Sequence, residues 1–376
     1  MHICYFMFLN QIQIFFSRNA TNNVNINILV NNCTFADINS TSRGGAIYAA
    51  TVKGKLTVKD SKFYNIDSGS WGAITIATSS QSDGLAVDIS GSTFENNKAN
   101  NGAALYLRAA NVNIVDSSFI NNTAINAPGA IYLYNATATI DNCIIVNNTA
   151  GAKGVAISST PVTGAVTKLT ITNSVIENNN GNGQVLPAIY ADQNLIEISY
   201  SSIVNELSIE TRTAAGYDAV YGQGVVIANN NWWGTNDPST AVTGINITVD
   251  SWVIMNVEAN ASEVLSGEQV KLTIDFNHVN TTSGEIQELI GGEIPIDSYT
   301  VKLTSQNGTF SQDTVEVKKG RTQEVIFTSS DNTALILAAC GDATVDILLA
   351  KGVEPYYGII YVSADGNDNN NGSELY

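Results

Sequence analysis

Histidine is almost absent from this sequence, and cysteine is rare. His2 and His278 are the only two histidines in 376 residues. Zinc sites and Ser-His-Asp hydrolases both depend on histidine, so the sequence disfavours both classes. The cysteines have neither metal-ligand spacing nor the density of a disulfide framework. The four positions are Cys4, Cys33, Cys143 and Cys340.

Basic residues are also few. Lys and Arg total 17 against 34 Asp and Glu, which gives a formal net charge of -17. Nucleic acids and anionic membrane surfaces are bound through basic patches, so this balance argues against both as partners. Charged residues make up only 14% of the chain and prolines number six. Asn, Thr, Ser and Gly supply the polarity instead, which together with abundant Val and Ile is typical of an all-β protein with many turns.

Long apolar runs are missing as well. The first sixteen residues are mostly apolar, but a membrane-spanning helix needs about 20. They also lack the basic start and the small-residue cleavage site of a signal peptide. We therefore interpret residues 13–16 as part of an incomplete first coil, and we expect the export signal to lie upstream. No membrane insertion is predicted within this chain.

What the sequence does contain is an internal repeat, which is the first feature to look for. One apolar position recurs at steps of 25 to 31 residues. Small side chains stand two places before it, and Asp or Asn stands two places after it. The apolar column is Phe35, Phe63, Phe94, Phe119, Ile145, Ile176, Ile203 and Trp232; the small column is Cys33, Ser61, Ser92, Ser117, Cys143, Ser174 and Ser201; the third column is Asp37, Asn65, Asn96, Asn121, Asn147, Asn178 and Asn205.

Two further segments recur between these columns. One has the form Gly-Ala-Ile-Tyr, as at 45–48 and 129–132, with weaker copies as late as 218–221; the other is a short alternating strand before each apolar position, as at 56–58. Three short strands per repeat cannot bury an apolar face alone, so they must stack coil on coil. The sequence therefore predicts a right-handed parallel β-helix of about eight coils, three strands each, over residues 1–250.

The columns make physical predictions. Asn tolerates left-handed backbone, so the third column predicts a turn at the same point of every coil. Stacked amides there can hydrogen-bond from coil to coil. Cys33 and Cys143 lie four coils apart in the small column, about 19 Å at strand spacing, which is beyond disulfide reach. We therefore interpret both as small core residues.

The pattern changes after the repeats. Trp232 and Trp233 either cover the open end of the core or form a sugar-stacking platform. Alternating strands at a spacing near ten residues then predict an immunoglobulin-like β-sandwich over 251–351. Residues 352–376 read as the start of a further, truncated unit. The run 365–369 is similar to a calcium loop but lacks the Gly and Glu of an EF-hand; calcium is thus a possible ligand, and no other cofactor is predicted.

These segments together resemble a known family. The Phe-x-Asn-Asn repeats, Gly-Gly-Ala-Ile-Tyr at 44–48, Asn-Trp-Trp-Gly-Thr-x-x-Pro at 231–238 and Tyr-Val-Ser-x-x-Gly-Asn-Asp at 361–368 resemble the adhesin-like surface proteins of methanogenic archaea. The coils are also similar to the polymorphic outer-membrane repeats of bacteria and to the pectate-lyase-like superfamily. The resemblance implies secretion, display at the cell surface, and adhesion to glycans or other microbial cells. It transfers no catalytic residue.

Some β-helices are enzymes, and that alternative has its own requirements. Hydrolases of this shape need converging carboxylates, and lyases need an acidic calcium cluster beside a base. The acids Asp60, Asp116 and Asp141 fall beside the same turn, where Asn32 and Asn173 stand in other coils, as a turn column would produce. The basic residues of the second coil form either a solvated face or an anionic-sugar site; they are Arg43, Lys53, Lys55, Lys59 and Lys62.

We assign no catalytic, cofactor-binding or metal-ligating residue. The sequence thus predicts a non-catalytic, extracellular adhesin-like protein that binds surface glycans or other cells. The alternative is a polysaccharide lyase or hydrolase on the same scaffold.

Overall fold

The structure is a computed structural model that describes most of the chain, in two compact units. Among the described residues, the first unit extends to Ile254 and includes Phe276–Asp297, and the second comprises Met255–Asp275 and 299–350. The described residues are 2–3, 8–10, 14–17, 25–41, 43–50, 53–78, 85–162, 165, 167–192, 194–211, 225–297, 299–322 and 324–350. The copy of the second element at 218–221 and the segment 352–376, with its possible calcium loop, lie outside them.

The first unit is a parallel β-solenoid built from four sheets. Sheet A contains His2–Ile3, Asn25–Asn31, Lys53–Lys59, Leu85–Ser90, Asn111–Val115, Thr137–Asp141, Lys168–Thr172, Leu195–Ser199, Val225–Ile227 and Ile247–Thr248. Sheet B contains Phe8–Asn10, Thr34–Ala36, Lys62–Tyr64, Thr93–Glu95, Ser118–Ile120, Ile144–Val146, Val175–Glu177 and Ser202–Val204. Every strand pairs in parallel with the strand one coil away, so the predicted β-helix is confirmed.

The other two sheets complete each coil. Sheet C contains Ile14–Ser17, Ile47–Ala50, Ile74–Ala77, Leu105–Arg108, Ile131–Tyr134, Ile157–Thr160, Ile189–Ala191, Ile209–Thr211 and Val242–Thr243. Sheet D contains Asn39–Ser40, Asp67–Ser68, Lys98–Ala99, Thr123–Ala124 and Thr149–Ala150. The two-residue strands of sheet D form a fourth side that the three-strand prediction lacked. Two residues are too short to show an alternating pattern in the sequence.

The apolar column forms the predicted interior stack. Phe35, Phe63, Phe94 and Phe119 are fully buried. Their rings lie parallel, with centroids 4.8, 4.7 and 4.9 Å apart in successive coils. That separation matches the strand spacing of a β-sheet, so each ring contacts the next without disturbing the ladder.

The last member of this column was predicted wrongly, by one residue. Asn231 takes the small-residue position, because its Oδ1 accepts the amide of Ser201 at 3.0 Å. Trp233 therefore follows Ile203 in the apolar column and joins the core. A shift of one residue along a strand turns each side chain to the opposite face. Trp232 accordingly packs edge-on against Phe276, with ring centroids 4.9 Å apart.

The predicted turns have left-handed backbone. Positive φ values between 53° and 58° occur at Asp37, Asn65, Asn96, Asn121, Asn147 and Asn178, but not at Asn205. A buried ladder of amides lies one residue further along, at Asn97, Asn122, Asn148 and Asn179. Asn205 continues this ladder, since its Oδ1 accepts the amide of Asn179 at 2.9 Å. Coil-to-coil amide bonding was therefore predicted correctly. In the predicted column Asn65 donates to Asp37 at 3.0 Å, and the buried ladder runs in the neighbouring column.

The small column forms a second ladder. The amide of Ser61 donates to the hydroxyl of Ser92 at 3.1 Å, and the amide of Ser92 donates to that of Ser117 at 3.2 Å. Cys33 and Cys143 take the same place, and both are buried and free of disulfide bonds. The interpretation of these cysteines as small core residues is confirmed.

Beyond the Trp pair the first unit continues. A short 3-10 helix at Pro238–Thr240 precedes the last strands of sheets C and A. Val242, Ile247, Val249 and Trp252 of this partial coil pack against the core. The strand Ile286–Glu288 pairs antiparallel with 278–280.

The second unit is antiparallel. One sheet has the order Ser251–Ala259, Gln269–Thr281, Val325–Ser329 and Gly308–Phe310, and its first two strands each have residues in both units. The other has the order Thr314–Glu316, Thr300–Gln306, Thr333–Cys340 and Ala343–Ala350. Alternating buried residues such as Val301 and Leu303 form its core, as the period-2 pattern predicts. The fold class, a parallel β-helix followed by antiparallel sheets, is confirmed.

Candidate functional site

Sheet C carries a column of tyrosines on its outer face. The inward residues of its strands are buried aliphatic side chains such as Ile47, Leu105 and Ile131. Successive strand residues point to opposite faces, so the residue after each of these faces outward. In register order the column on this side of the sheet is Tyr48, Thr75, Tyr106, Tyr132, Ser158, Tyr190 and Glu210. Tyr48, Tyr132 and Tyr190 are half-buried, and the other four are buried.

Three side chains from successive coils stack on this face. The guanidinium carbon of Arg43 lies 4.7 Å from the ring centroid of Trp71. The other neighbour of Trp71 is Tyr106, whose ring is nearly parallel to it with centroids 4.8 Å apart. Tyr132, one coil on, is turned by 81° to Tyr106 at 5.4 Å. Parallel and edge-on pairs of this kind are both favourable for aromatic rings.

A second outward column lies two residues further along the strands. Arg108 follows Tyr106, and its guanidinium carbon lies 5.4 Å from the ring centroid of Tyr134 in the next coil. Tyr134 in turn meets Tyr132 at 6.1 Å. We call this surface the aromatic face and define it as Arg43, Trp71, Tyr106, Arg108, Tyr132 and Tyr134.

The two arginines differ from the lysines of the same unit. Lys55 pairs with Asp88, Lys98 with Asp67, Lys153 with Glu210, and Lys168 with Glu197. Within the part of the chain that the structure describes, no carboxylate forms an ion pair with Arg43 or Arg108. Both residues are exposed, and the guanidinium carbon of each lies within 5.4 Å of a ring centroid.

Burial raises the pKa of two phenols of this face, those of Tyr132 and Tyr106. It raises the pKa of Tyr132 to about 12, against a smaller opposing effect of a hydrogen bond with Thr160. Burial also raises the pKa of Tyr106, although the charges of Arg108 and Arg43 oppose it. A neutral phenol keeps its O–H donor at physiological pH. Ser158, fully buried between Tyr132 and Tyr190 in register, has a hydroxyl with no hydrogen-bond partner among the described residues.

The structure separates the basic residues that the sequence grouped. Arg43 lies on the aromatic face, whereas Lys53, Lys55 and Lys59 belong to a strand of sheet A, and Lys62 to sheet B. Lys55 and Lys59 have acidic neighbours, at Asp88 and Asp60. The five therefore do not form one anionic-sugar site.

The acids considered for catalysis lie at the predicted turn. Asp60 and Asp116 adopt left-handed backbone, as Asn32 and Asn173 do in other coils. The Asn142 amide donates to Asp116 at 2.6 Å, and the next acid, Asp141, accepts from Thr172 and Asn173. These carboxylates thus bond to the turn of the neighbouring coil. Across the described ranges, no group of three or more His, Cys, Asp or Glu is arranged to hold a metal ion.

The Trp pair is not a sugar platform. Trp232 is fully buried and Trp233 is 4% exposed, so neither ring face is open to a ligand. The aromatic surface lies instead at Trp71 and the tyrosines of sheet C, which sequence reasoning did not single out. The signal was present, because Tyr follows the inward Ile or Leu in four copies of the second element: Tyr48, Tyr106, Tyr132 and Tyr190.

Comparison of the chain with protein-family models and with curated proteins finds no match. Among the residues that the structure describes, no helix is long and apolar enough to cross a membrane.

Proposed function

We propose that this protein is a non-catalytic, extracellular adhesin that binds glycans on the surfaces of other microbial cells. The observation that carries the proposal is the aromatic face, on which Trp71, the largely buried Tyr106, and the pair Tyr132 and Tyr134 come from three consecutive coils and form a row of ring contacts. Single exposed aromatics are common on soluble proteins, whereas a row of them at fixed spacing marks an interaction surface.

The chemistry of this face suits a carbohydrate. Sugar rings combine an apolar C–H face, which packs on aromatic rings, with hydroxyls that need hydrogen-bond partners. Tyr132 and Tyr134 are half-buried, so their rings are held in place while part of each stays accessible. Tyrosine supplies large contact area at low conformational cost, together with a phenol that donates and accepts. Each coil contributes one row of side chains, and successive rows lie about 4.8 Å apart, so an extended glycan chain can make similar contacts repeatedly.

The remaining features of the proposal follow from the resemblance to archaeal adhesin-like proteins and to pectate-lyase-like repeats. It suggests export, display at the cell surface, and an immunoglobulin-like spacer formed by the antiparallel unit. The net charge of -17 suits a surface protein that must stay soluble. The same resemblance keeps a polysaccharide lyase or hydrolase as the competing function.

The proposal is tested by the binding of the full chain to immobilised glycans and to intact microbial cells, with and without calcium. The variant Tyr132→Ala should weaken glycan binding by about tenfold, because a central interface tyrosine typically contributes more than 1 kcal/mol. Tyr64→Ala is the matched control, since Tyr64 is also a half-buried strand residue but faces outward on sheet B.

Three results would decide between the functions. Saturable binding that Tyr132→Ala weakens, with the ligand intact, supports the adhesin. Binding that both variants leave unchanged refutes the aromatic face as the site. Shortened polysaccharide after incubation would refute a non-catalytic function and favour the lyase or hydrolase.

A further inference from the structure

We infer that the aromatic face selects glycans that carry an anionic group, a carboxylate or a sulfate, and that Arg43 and Arg108 bind that group. The inference rests on the proposed function and deepens it, because it names the ligand class of the same face.

The first step is the state of the two arginines. This protein has twice as many acidic as basic residues, 34 against 17, so ion-pair partners are plentiful. Lysines that pair with acids include Lys55 and Lys168, on two strands of sheet A. Arg43 and Arg108 instead contact aromatic rings, and no described carboxylate pairs with either. Two guanidinium groups without a described ion-pair partner therefore lie two coils apart.

The second step is the geometry of the stack. Arg43, from the coil before Trp71, and Tyr106, from the coil after it, both contact the indole ring within 5 Å, so a ligand would meet the indole at its edge. Aromatic edges carry the positive end of the ring quadrupole. An incoming group therefore meets ring edges and guanidinium N–H donors together, and both attract negative charge.

The third step concerns the groups between the arginines. Tyr106 lies within electrostatic range of both Arg43 and Arg108, and its pKa is nevertheless raised by burial, so its phenol remains a neutral donor. The groups that act electrostatically on the Tyr106 phenol are Arg108, Tyr134 and Arg43, and no described acid is among them, whereas Asp192 acts on Tyr132 one coil further on. The end formed by Arg43, Trp71, Tyr106 and Arg108 thus offers donors and cations.

Arginine is suited to this task. Its planar guanidinium binds carboxylate and sulfate-like groups through two parallel N–H bonds, and it stacks on aromatic rings at the same time. The ring contacts hold each guanidinium in position before the ligand arrives, which lowers the ordering cost of binding. A neutral glycan would contact the rings alone. An anionic glycan should therefore bind more tightly than a neutral glycan of equal size.

The experiment measures binding of the full chain to four hexasaccharides: hyaluronan, its methyl ester, chondroitin 4-sulfate and cellohexaose. The hyaluronan carboxylate should bind at least about tenfold more tightly than its neutral ester, the equivalent of one charge-assisted hydrogen bond. The variant R43Q/R108Q should bring the two to the same affinity. The control K59Q/K62Q removes the same two positive charges at exposed positions of sheets A and B, away from the aromatic face, and should leave the difference intact. The chondroitin sulfate arm distinguishes a carboxylate site from one that prefers sulfate.

The outcomes separate the inference from the proposed function. If cellohexaose and the ester bind as tightly as hyaluronan and depend on Tyr132, glycan binding stands and the charge selection is wrong. If free sulfate or glutarate competes as well as the oligosaccharides do, the arginines form an anion site and glycan binding is wrong. If R43Q/R108Q retains the preference for hyaluronan over its ester, the assignment of these two arginines is refuted.

Discussion

The buried amide ladder makes a quantitative prediction about Asn122. Its Oδ1 accepts from both the backbone amide and the side-chain amide of Asn97, at 3.1 and 3.0 Å. Its Nδ2 donates to the carbonyl of Phe94 and to Oδ1 of Asn148, both at 3.0 Å. The residue is fully buried. Replacing it with alanine therefore removes four hydrogen bonds where water does not reach.

The cost can be worked out group by group. The backbone N–H of Asn97 loses its partner and stays buried, which costs about 1–3 kcal/mol. Asn97 Nδ2 keeps its bond to the Phe63 carbonyl, and Asn148 Oδ1 keeps its bond from the Asn122 amide, so these lose about 1 kcal/mol each. The Phe94 carbonyl loses the fourth bond, at about 1 kcal/mol, so the expected loss in the free energy of unfolding is about 4–6 kcal/mol. Asn121→Gly, one residue earlier, is the control, because Asn121 is exposed at φ 56° and glycine adopts that backbone readily.

Hydrogen exchange is the appropriate assay, because a solenoid can open one coil at a time. Asn122→Ala should reduce the protection of the Asn97 amide and of the amides in its own coil. The amides of the distant coil that contains Ile196 should be affected less. Urea denaturation of the full chain should show a lower midpoint for Asn122→Ala than for Asn121→Gly. A loss below about 1 kcal/mol, with the Asn97 amide still protected, would refute the reasoning that the ladder satisfies buried backbone groups.

Three other changes have definite expected outcomes. Phe94→Ala should destabilise the solenoid by about 3–5 kcal/mol in urea denaturation, because it opens a cavity between two stacked rings; a loss under about 1 kcal/mol would contradict the packing. Gly129→Ala should prevent native folding, because its Cβ would lie 1.9 Å from the Val155 carbonyl oxygen. At Gly183 a Cβ would meet no atom within 4 Å, so Gly183→Ala should give normal circular dichroism and lose only about 1–2 kcal/mol to the strain of its φ of 86°. Burial raises the pKa of the Cys143 thiol from 9.0 to about 11. As the pH rises, the thiol therefore loses its proton in the unfolded chain before it does in the folded chain, and the free energy of unfolding should fall between pH 9 and 11. Cys143→Ser should reduce that fall, and an equal fall in the variant would exclude the thiol as its cause.

The repeat predicted the fold well because each column is a physical requirement. A coil needs an inward apolar residue, a small residue beside it and a left-handed turn, and Phe94, Ser92 and Asn96 meet these needs in order. The errors came where a coil changes length. One residue fewer before Asn205 and one more before Trp233 shift the columns, and a fixed alignment hides both changes.

The candidate site was harder to predict than the fold. Tyr106 and Tyr132 stood in the aligned second element, but their neighbours Arg43 and Trp71 come from the connections before their strands. Only the folded coils bring them together. The guanidinium carbon of Arg43 lies 4.7 Å from the ring centroid of Trp71, which lies 4.8 Å from that of Tyr106. Sequence spacing also grouped Arg43 with lysines that the structure places on other sheets, because residues close in the chain diverge when a strand turns a corner.

Because the coils are equivalent, the length of the solenoid is set by the number of coils. Residues 117–142 form one full period, since Ser117 and Cys143 occupy the same position of successive coils. Excising that period would join Asp116 to Cys143 and leave a left-handed turn followed by a small core residue, as in the intact chain. The length of the protein would fall by one increment of about 4.8 Å, with Tyr132 and Tyr134 removed and the stack of Arg43 on Trp71 kept. The length of the solenoid and the number of contact rows therefore change together, in steps of one coil. Insertion or loss of a coil would directly change the length of ligand that the surface can bind.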